Sequence, residues 1–409
     1  MSDREVREQY EALPYPARDP RDEARRLIIG SPSHLLEIDH YVFGGRRDWS
    51  KPFRALFAGG GTGDGAIMLA QQLADRGCPA ELVHLDQSVA ARQIAEARAA
   101  RRGLTSLRFV TGSLLDLAAL GLGVFDYVDC CGVLHHLDDP AGGLAALAGA
   151  LAPDGGLGAM VYGRLGRTGV YEMQEILRVV AGEGAPRERV QRARKLLADL
   201  PPTNWLARNP NLSDHVEGGD AGLFDLLLHA RDRAFSVEEI GALVDGAALR
   251  LVTFIEPARY DALTFVRDPG ARRAIAGLDA LARAAVAEKL TGAMARHVFY
   301  VVRRDNPAMP AALDRDDAVP MLRGVDGPSL AKALGTRGVL VAGDGALQLR
   351  LPVPLISGAI AARLDDRTSL GELRAALGGL VRSPDLDADI RACCGALNAV
   401  NLLLVRYRA

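Results

Sequence analysis

Arg54-Ala55-Leu56-Phe57-Ala58-Gly59-Gly60-Gly61-Thr62-Gly63-Asp64-Gly65 is the stretch that decides the fold. An apolar run, residues 55–58, enters a cluster of glycines. A helical pattern follows, with Ala66, Ile67, Met68, Leu69, Ala70 and Leu73 on a 3.6-residue period. The order is strand, tight turn, helix. Gly59, Gly61 and Gly63 alternate where a backbone must bend hard and let a ligand come close, and a residue without Cβ does both cheaply. The turn feeds a helix N-terminus, whose free N–H groups favour a polar or anionic ligand. This is the expected form of a nucleotide-type site at the first βα turn of a doubly wound sheet. The turn alone does not name the ligand.

Working outward, strands are expected at 53–58, 81–85, 107–110, 125–131 and 157–162, with helices between them. Ser88 suits the cap of an Ala-rich helix that ends at Gly103, and Pro140 suits the first turn of another. Gly155-Gly156 is read as the turn into the fifth strand. This alternation predicts parallel βαβ units with right-handed crossovers. Residues 164–235 interrupt it as a helical insertion, with Pro201-Pro202 and Asn209-Pro210 as breakers. Ser236 to Glu239 has capping-box form. Strands at 249–255 and 297–303, around a long helix at 270–295, complete seven. The fold class is α/β, a doubly wound seven-stranded Rossmann-like sheet with a small α+β C-terminal domain.

At the ends, residues 1–50 read as an N-terminal arm. Pro14 and Pro16 argue against a regular helix across 10–16 and for an extended segment, either an ordered tail or a lid over the substrate pocket. Residues 34–45 read as a loop into the first strand. Residues 306–330 are Pro- and Asp-rich and read as a linker. Residues 331–409 form a small module with strands at 338–341 and 346–351, weakly similar to winged-helix peptide-recognition domains.

The chain has 409 residues, enough for two or three domains. Hydrophobic residues make up 49% and charged residues 24%, the balance of a water-soluble globular protein. The net charge of -2 gives no electrostatic case for nucleic acid or an anionic membrane. The five cysteines lack metal-ligand spacing and any disulfide framework, which fits a reducing compartment. The charged N-terminus has no apolar signal core and no run is long enough to span a bilayer, so a cytoplasmic location is expected.

Four further places carry chemistry. Asp86 ends the second strand, where a carboxylate either accepts the hydroxyls of a ribose or caps the next helix. Ser113 and Leu114, in the loop after the third strand, suit an adenine. Cys130 to Leu137 follow the fourth strand at the topological switch point. There His135 and His136 are candidate general bases, and Cys130 and Cys131 are apolar lining. His229, within the mixed segment 227–235, suits a pocket wall, as does Tyr162. A dinucleotide turn is met only loosely by these glycines, and a Walker loop lacks its Lys.

The runs AGGGTGDG, LDQS, TGSLLDL and FDYVDCCGVLHHLDDP, in this order, together resemble class I S-adenosylmethionine-dependent methyltransferases. The similarity is strong over 51–163 and loose over 236–303. It is greatest to bacterial members with a YxxxPYP arm (Tyr10 to Pro16) and an HYVFGG loop (His40 to Gly45). The resemblance implies an antiparallel last strand and a cofactor, S-adenosyl-L-methionine. Its methionine end would lie over Gly59, Gly61 and Gly63, its ribose on Asp86, its adenine near Ser113 and Leu114, and its reacting end near Cys131 and Val133. One departure stands out. Many members carry an acid two residues before the first glycine, and this chain has Phe57. The expected reaction is methyl transfer to a small-molecule or peptide acceptor. His135, His136 and His229 are the candidate bases, Tyr15, Tyr162 and Arg231 the acceptor contacts, and no metal is involved. A homodimer is left open. The rival readings are an NAD-dependent oxidoreductase and a non-catalytic S-adenosylmethionine-binding protein.

Overall fold

The computed structural model describes residues 3–343 and 347–408. Its main sheet holds seven strands: β1 (Phe53–Ala58), β2 (Ala80–Asp86), β3 (Leu107–Thr111), β4 (Phe125–Cys131), β5 (Leu151–Tyr162), β6 (Leu249–Phe254) and β7 (Arg296–Arg303). Their order is β3-β2-β1-β4-β5-β7-β6. β1 to β5 pair in parallel, and β7 runs antiparallel to β5. The order reverses between β1 and β4, so the turn after β1 opens at the switch point.

Local chemistry explains the elements. β1 sits between two partners and is apolar and buried along almost its whole length. The helix Asp64–Asp75 buries Ala66, Ile67, Met68, Leu69, Ala70 and Leu73. The helix Val89–Arg102 starts where Ser88 Oγ accepts from the Ala91 N–H and stops at left-handed Gly103. The insertion folds as the helices Val170–Val180, Pro186–Ala198, Asp214–Glu217 and Gly219–Leu227, around its own cluster of Val170, Met173, Leu177, Val190, Leu223 and Phe224.

The chain divides into two compact units, one of residues 1–34, 49–250 and 292–304, the other of 35–48, 251–291 and 305–409. The second contains β8 (Ala318–Leu322) against β11 (Leu403–Tyr407), and β9 (Val339–Ala342) against β10 (Leu349–Pro352), both antiparallel. Its core includes Leu370, Leu373, Leu377, Ile390, Cys393 and Leu397.

Several boundaries differ from the sequence expectation. The arm begins with a helix, Asp3–Ala12, which takes in Tyr10. Pro14 constrains itself and Leu13 but not the residues before, so a helix can run up to it. Residues 35–48 do not belong to an arm. They form a short helix and a π turn, Ile38–Val42, within the second unit, where Glu37 accepts from Asn401 Nδ2 at 2.8 Å and pairs with Arg323. β5 starts at Leu151, and Gly155-Gly156 lie inside it beside a register shift. A Cβ at Gly155 would stand 2.9 Å from the Asp126 carbonyl oxygen, so glycine serves close backbone approach there. The long helix at 270–295 is two, Pro269–Ala276 and Ala280–Thr291. The 306–330 stretch is no bare linker, because it contains β8 and the start of the helix Gly327–Leu334. Pro320 is tolerated in β8 because both strands of a two-stranded ladder are edges. The expected strand at 346–351 is seen as Leu349–Pro352, and Ala346 lies outside the described residues.

Candidate active site

The glycine turn is tied down from three sides. Gly59 has φ +75°, and a Cβ there would stand 2.4 Å from Val133 Cγ2, so the turn touches the loop after β4. Gly61 is gripped by β2. Its N–H donates to Asp86 Oδ2 at 2.7 Å, and His84 Nε2 donates to its carbonyl at 3.0 Å. His84 and Asp86 are two apart in a strand and so share a face. Burial holds the His84 imidazole below its usual pKa, which keeps it neutral and fit for this bond. Gly63 has φ +97°, and a Cβ there would meet the Ala95 methyl at 2.9 Å.

Residues 3–34 cover this turn. Thr62 Oγ1 donates to the Pro16 carbonyl at 2.9 Å. Arg18 makes a two-pronged ion pair with Asp64, in the first turn of the helix after the glycines. Arg98, fully buried, joins Asp64 to buried Glu23. Glu11 accepts from the N–H groups of Val89 and Ala90 at 2.5 and 3.2 Å, so the first helix places a carboxylate at the positive end of the helix Val89–Arg102.

Together these elements enclose a cavity of about 440 Å³, a volume within the range of small-molecule sites. Gly59, Gly61, Gly63, Asp86, Leu114, Cys131 and Val133 border it, as do Tyr15, Tyr162, Arg231 and His136. Asp86 also accepts from the Ser88 N–H at 2.8 Å, so it both braces the turn and faces the cavity. Ser113 does not border it. Its hydroxyl caps the short helix Leu114–Asp116 by accepting from the Leu115 N–H.

Another part of the cavity wall is a polar network. Asp225 accepts from the Tyr10 hydroxyl at 3.0 Å and the Tyr162 hydroxyl at 2.7 Å. Burial, reinforced by Asp225, pushes both phenols well above their usual pKa, so both remain donors. His136 Nδ1 donates to the Arg231 carbonyl at 2.8 Å, so in a neutral imidazole the lone pair lies on Nε2. His229 is the reverse. Its Nδ1 accepts from the Arg231 N–H at 3.0 Å, so the proton sits on Nε2, 3.3 Å from the Tyr10 oxygen. Burial and His136 hold His229 well below its usual pKa, hence neutral. His135 is fully buried and does not border the cavity. It stacks on Tyr162 with centroids 3.8 Å apart, and neither of its ring nitrogens has a partner among the described residues. The Arg167 guanidinium covers the Tyr162 ring at 3.7 Å and pairs with buried Asp232.

His136, Asp225 and His229 bring three ligand atoms within 4.8 Å of one another. In the neutral form the Arg231 N–H bond to Nδ1 leaves the His229 proton on Nε2.

The structure thus gathers eleven of the fourteen expected site residues around one cavity and leaves Ser113, His135 and His229 off its surface. It adds Tyr10, Arg18, Asp129, Asp225 and Arg296 to the lining. Asp129 was detectable as an acid inside an apolar strand. Tyr10 and Asp225 meet across 215 residues, with no local sequence signal.

Residues 56–157 match a family described as "Methyltransferase domain". The match is confined to this segment of the chain. The domain holds the glycine turn, Asp86, Leu114 and the loop after β4. An uncharacterized protein of Synechococcus is 32% identical over 255 residues, which cover 61% of this chain and 60% of that protein, so the match spans under two thirds of the relative. PKMT2 from Rickettsia typhi, solved with AdoHcy, has a TM-score of 0.61 at 15% identity, covering 98% of this chain and 76% of that one. A second PKMT2 structure gives 0.59 at 14%, with 95% and 74% covered. These likenesses establish the seven-stranded α/β fold of such methyltransferases. The cofactor of this kind of domain is S-adenosyl-L-methionine, and the cavity has the chemistry to hold it: a glycine turn in close contact with Val133 and Ala95, the Asp86 carboxylate and the apolar Leu114 all border it. Among the described residues no helix is long and apolar enough to cross a membrane.

Proposed function

We propose that this chain is an S-adenosylmethionine-dependent methyltransferase acting on a small-molecule or peptide acceptor. The observation that carries the reading is the pairing, in one cavity, of the glycine turn with a proton-accepting imidazole, His136, whose tautomer is set by the Arg231 carbonyl. When bound, the cofactor supplies a methyl group activated by a sulfonium. The residues of the chain align the acceptor and manage its proton. Tyr10, Tyr162 and Asp225 form a rigid donor–acceptor edge for it, and Arg231 is held by its own bonds to the His136 carbonyl. His136 Nε2 takes the proton of a hydroxyl or amine acceptor, a role worth ~10²–10⁴-fold. Positioning supplies a further share of the ~7–11 kcal/mol open to such effects. The reading places the protein in the cytoplasm.

The test is calorimetric titration of the full chain with S-adenosylhomocysteine and with NADH, followed by methyl-labelled cofactor added with cell extract. Binding of S-adenosylhomocysteine and labelling of an extract component support the proposal. Binding of NADH alone overturns it. Cofactor binding with no label transferred in any extract favours a non-catalytic binding protein.

A further inference from the structure

The missing acid at Phe57 has a counterpart one strand away. In the parallel ladder of β1 and β4, Phe57 is the register partner of Asp129. Register partners point to the same face of a sheet. The two side chains also converge on one point. A Cβ on Gly65 would stand 3.4 Å from Phe57 Cε1 and 3.7 Å from Asp129 Oδ2. The carboxyl group is therefore carried from the end of β1 to the end of β4 yet still faces the first turn of the helix after the glycines.

Asp129 is buried and borders the cavity. It accepts from Ser33 Oγ at 2.5 Å on Oδ2 and from the Cys131 N–H at 3.3 Å on Oδ1. No cationic side chain pairs with it among the described residues. Burial outweighs these two bonds and raises its pKa to about 6. Ser33 itself is held at φ +84°, with its N–H on the Tyr300 hydroxyl at 3.2 Å. A buried carboxylate with neutral donors only is costly unless a cation completes it.

We propose that Asp129 is the anionic anchor for the ammonium group of the cofactor's amino-acid end, replacing the acid that Phe57 displaces. This rests on the cofactor reading above. A primary ammonium is a compact three-donor cation. It pairs with the free lone pairs of a carboxylate at the edge of a cavity and forms charge-assisted bonds there. The buried phenyl ring of Phe57 borders the same cavity.

The test compares two ligands on the full chain by calorimetry at pH 7.5: S-adenosylhomocysteine and its deamino analogue, in which hydrogen replaces the amino group. The native protein is expected to prefer the amine-bearing ligand by roughly tenfold or more. Asp129→Asn is expected to bind the two equally, near the affinity of the analogue. Ser33→Ala, which keeps the carboxylate, is expected to retain the preference. A preference that survives Asp129→Asn overturns the inference. Should that variant fail to fold, the native protein decides the matter. Its preference should fade as pH falls from 7.5 to 5, because the ligand keeps its ammonium while Asp129 takes a proton. Around Asp129 stand the thiols of Cys130 and Cys131 and, through Ser33, the phenols of Tyr127 and Tyr300, classes that titrate on the alkaline side, while the charged Asp64 and Arg296 border the same cavity. A preference unchanged across that range overturns the inference as well. Failure of the native protein to bind either ligand sinks the cofactor reading itself, a separate outcome.

Discussion

The Tyr10 hydroxyl donates to Asp225 Oδ1 at 3.0 Å, joining the first helix of the chain to the last helix of the insertion. Asp225 is buried, and Tyr162 supplies its second donor. Tyr10→Phe therefore removes one of two donors from a buried carboxylate. The expected cost is about 1–3 kcal/mol in unfolding free energy, the penalty for an under-satisfied buried acceptor. The acceptor's KM is expected to rise with little change in the dissociation constant of S-adenosylhomocysteine. Denaturant melts and paired kinetics measure both. A variant with native stability and native KM would remove Tyr10 from the site.

His135 and His136 are adjacent in sequence, yet only His136 borders the cavity. His136→Ala is expected to lower turnover by ~10²–10⁴-fold while leaving cofactor affinity within about twofold. His135 has two buried nitrogens without partners among the described residues. Replacing it with leucine removes unmet polar groups, so His135→Leu is expected to keep turnover and to match or exceed native stability. Equal losses of turnover in both variants would contradict this division.

Asp129 should destabilise the ligand-free protein at neutral pH. Its carboxyl titrates near 3.8 when unfolded and at about 6 when folded. Between those values the folded state holds a proton that the unfolded state has released. Stability from this group is thus fully present below about 3.8 and is lost as pH rises through about 6. The loss amounts to about 3 kcal/mol at pH 7.5. Asp129→Asn is expected to be more stable than the native chain at pH 7.5, by up to that amount, with the gap closing near pH 4. Comparing the two proteins at each pH cancels the other carboxylates. A gap that widens toward acid would reverse the sign and refute the argument.

Arg98 is the hub that fixes residues 20–24 to the first unit's helices. It donates to Glu23, to the Thr62 carbonyl and to Asp64. Arg98→Met leaves buried Glu23 with Arg102 alone, and breaking a buried pair this way costs about 3–5 kcal/mol. Hydrogen exchange should quicken across residues 19–26 and around the glycine turn. Unchanged exchange there would show that the segment is held by other contacts.

Gly59→Ala places a Cβ at φ +75° and 2.4 Å from Val133 Cγ2. Backbone strain of about 1–3 kcal/mol is expected, together with displacement of the loop after β4. Cofactor affinity should fall more than stability, because the loop borders the cavity. Calorimetry on the variant reads this directly, and native affinity would mean that the loop yields freely.

The sequence carried most of the sheet. Glycine spacing, β-strand periodicity and helix caps are local, so most strands and helices of residues 51–163 were legible, and the glycine turn and Asp86 with them; Cys131 and Val133, which border the same cavity, were singled out only by the family resemblance. The helix Asp3–Ala12 is hard to read from sequence because Pro14 lies just beyond it, although a proline restricts only itself and the residue before it. β8 was missed because Pro320 in an acidic, proline-bearing stretch reads as linker until its partner β11 is seen.

By itself the sequence determined the order of elements and the turn after β1, because φ > 0 and close approach can be read from residue type alone. Only the tertiary structure decided which groups meet. It paired Tyr10 with Asp225, set opposite tautomers on His136 and His229 through one backbone residue, Arg231, and laid Asp129 beside Phe57. These depend on strand register and on packing between distant segments. No residue in a local window encodes either, because a hydrogen bond across the fold leaves its trace in sequence only as two ordinary polar side chains.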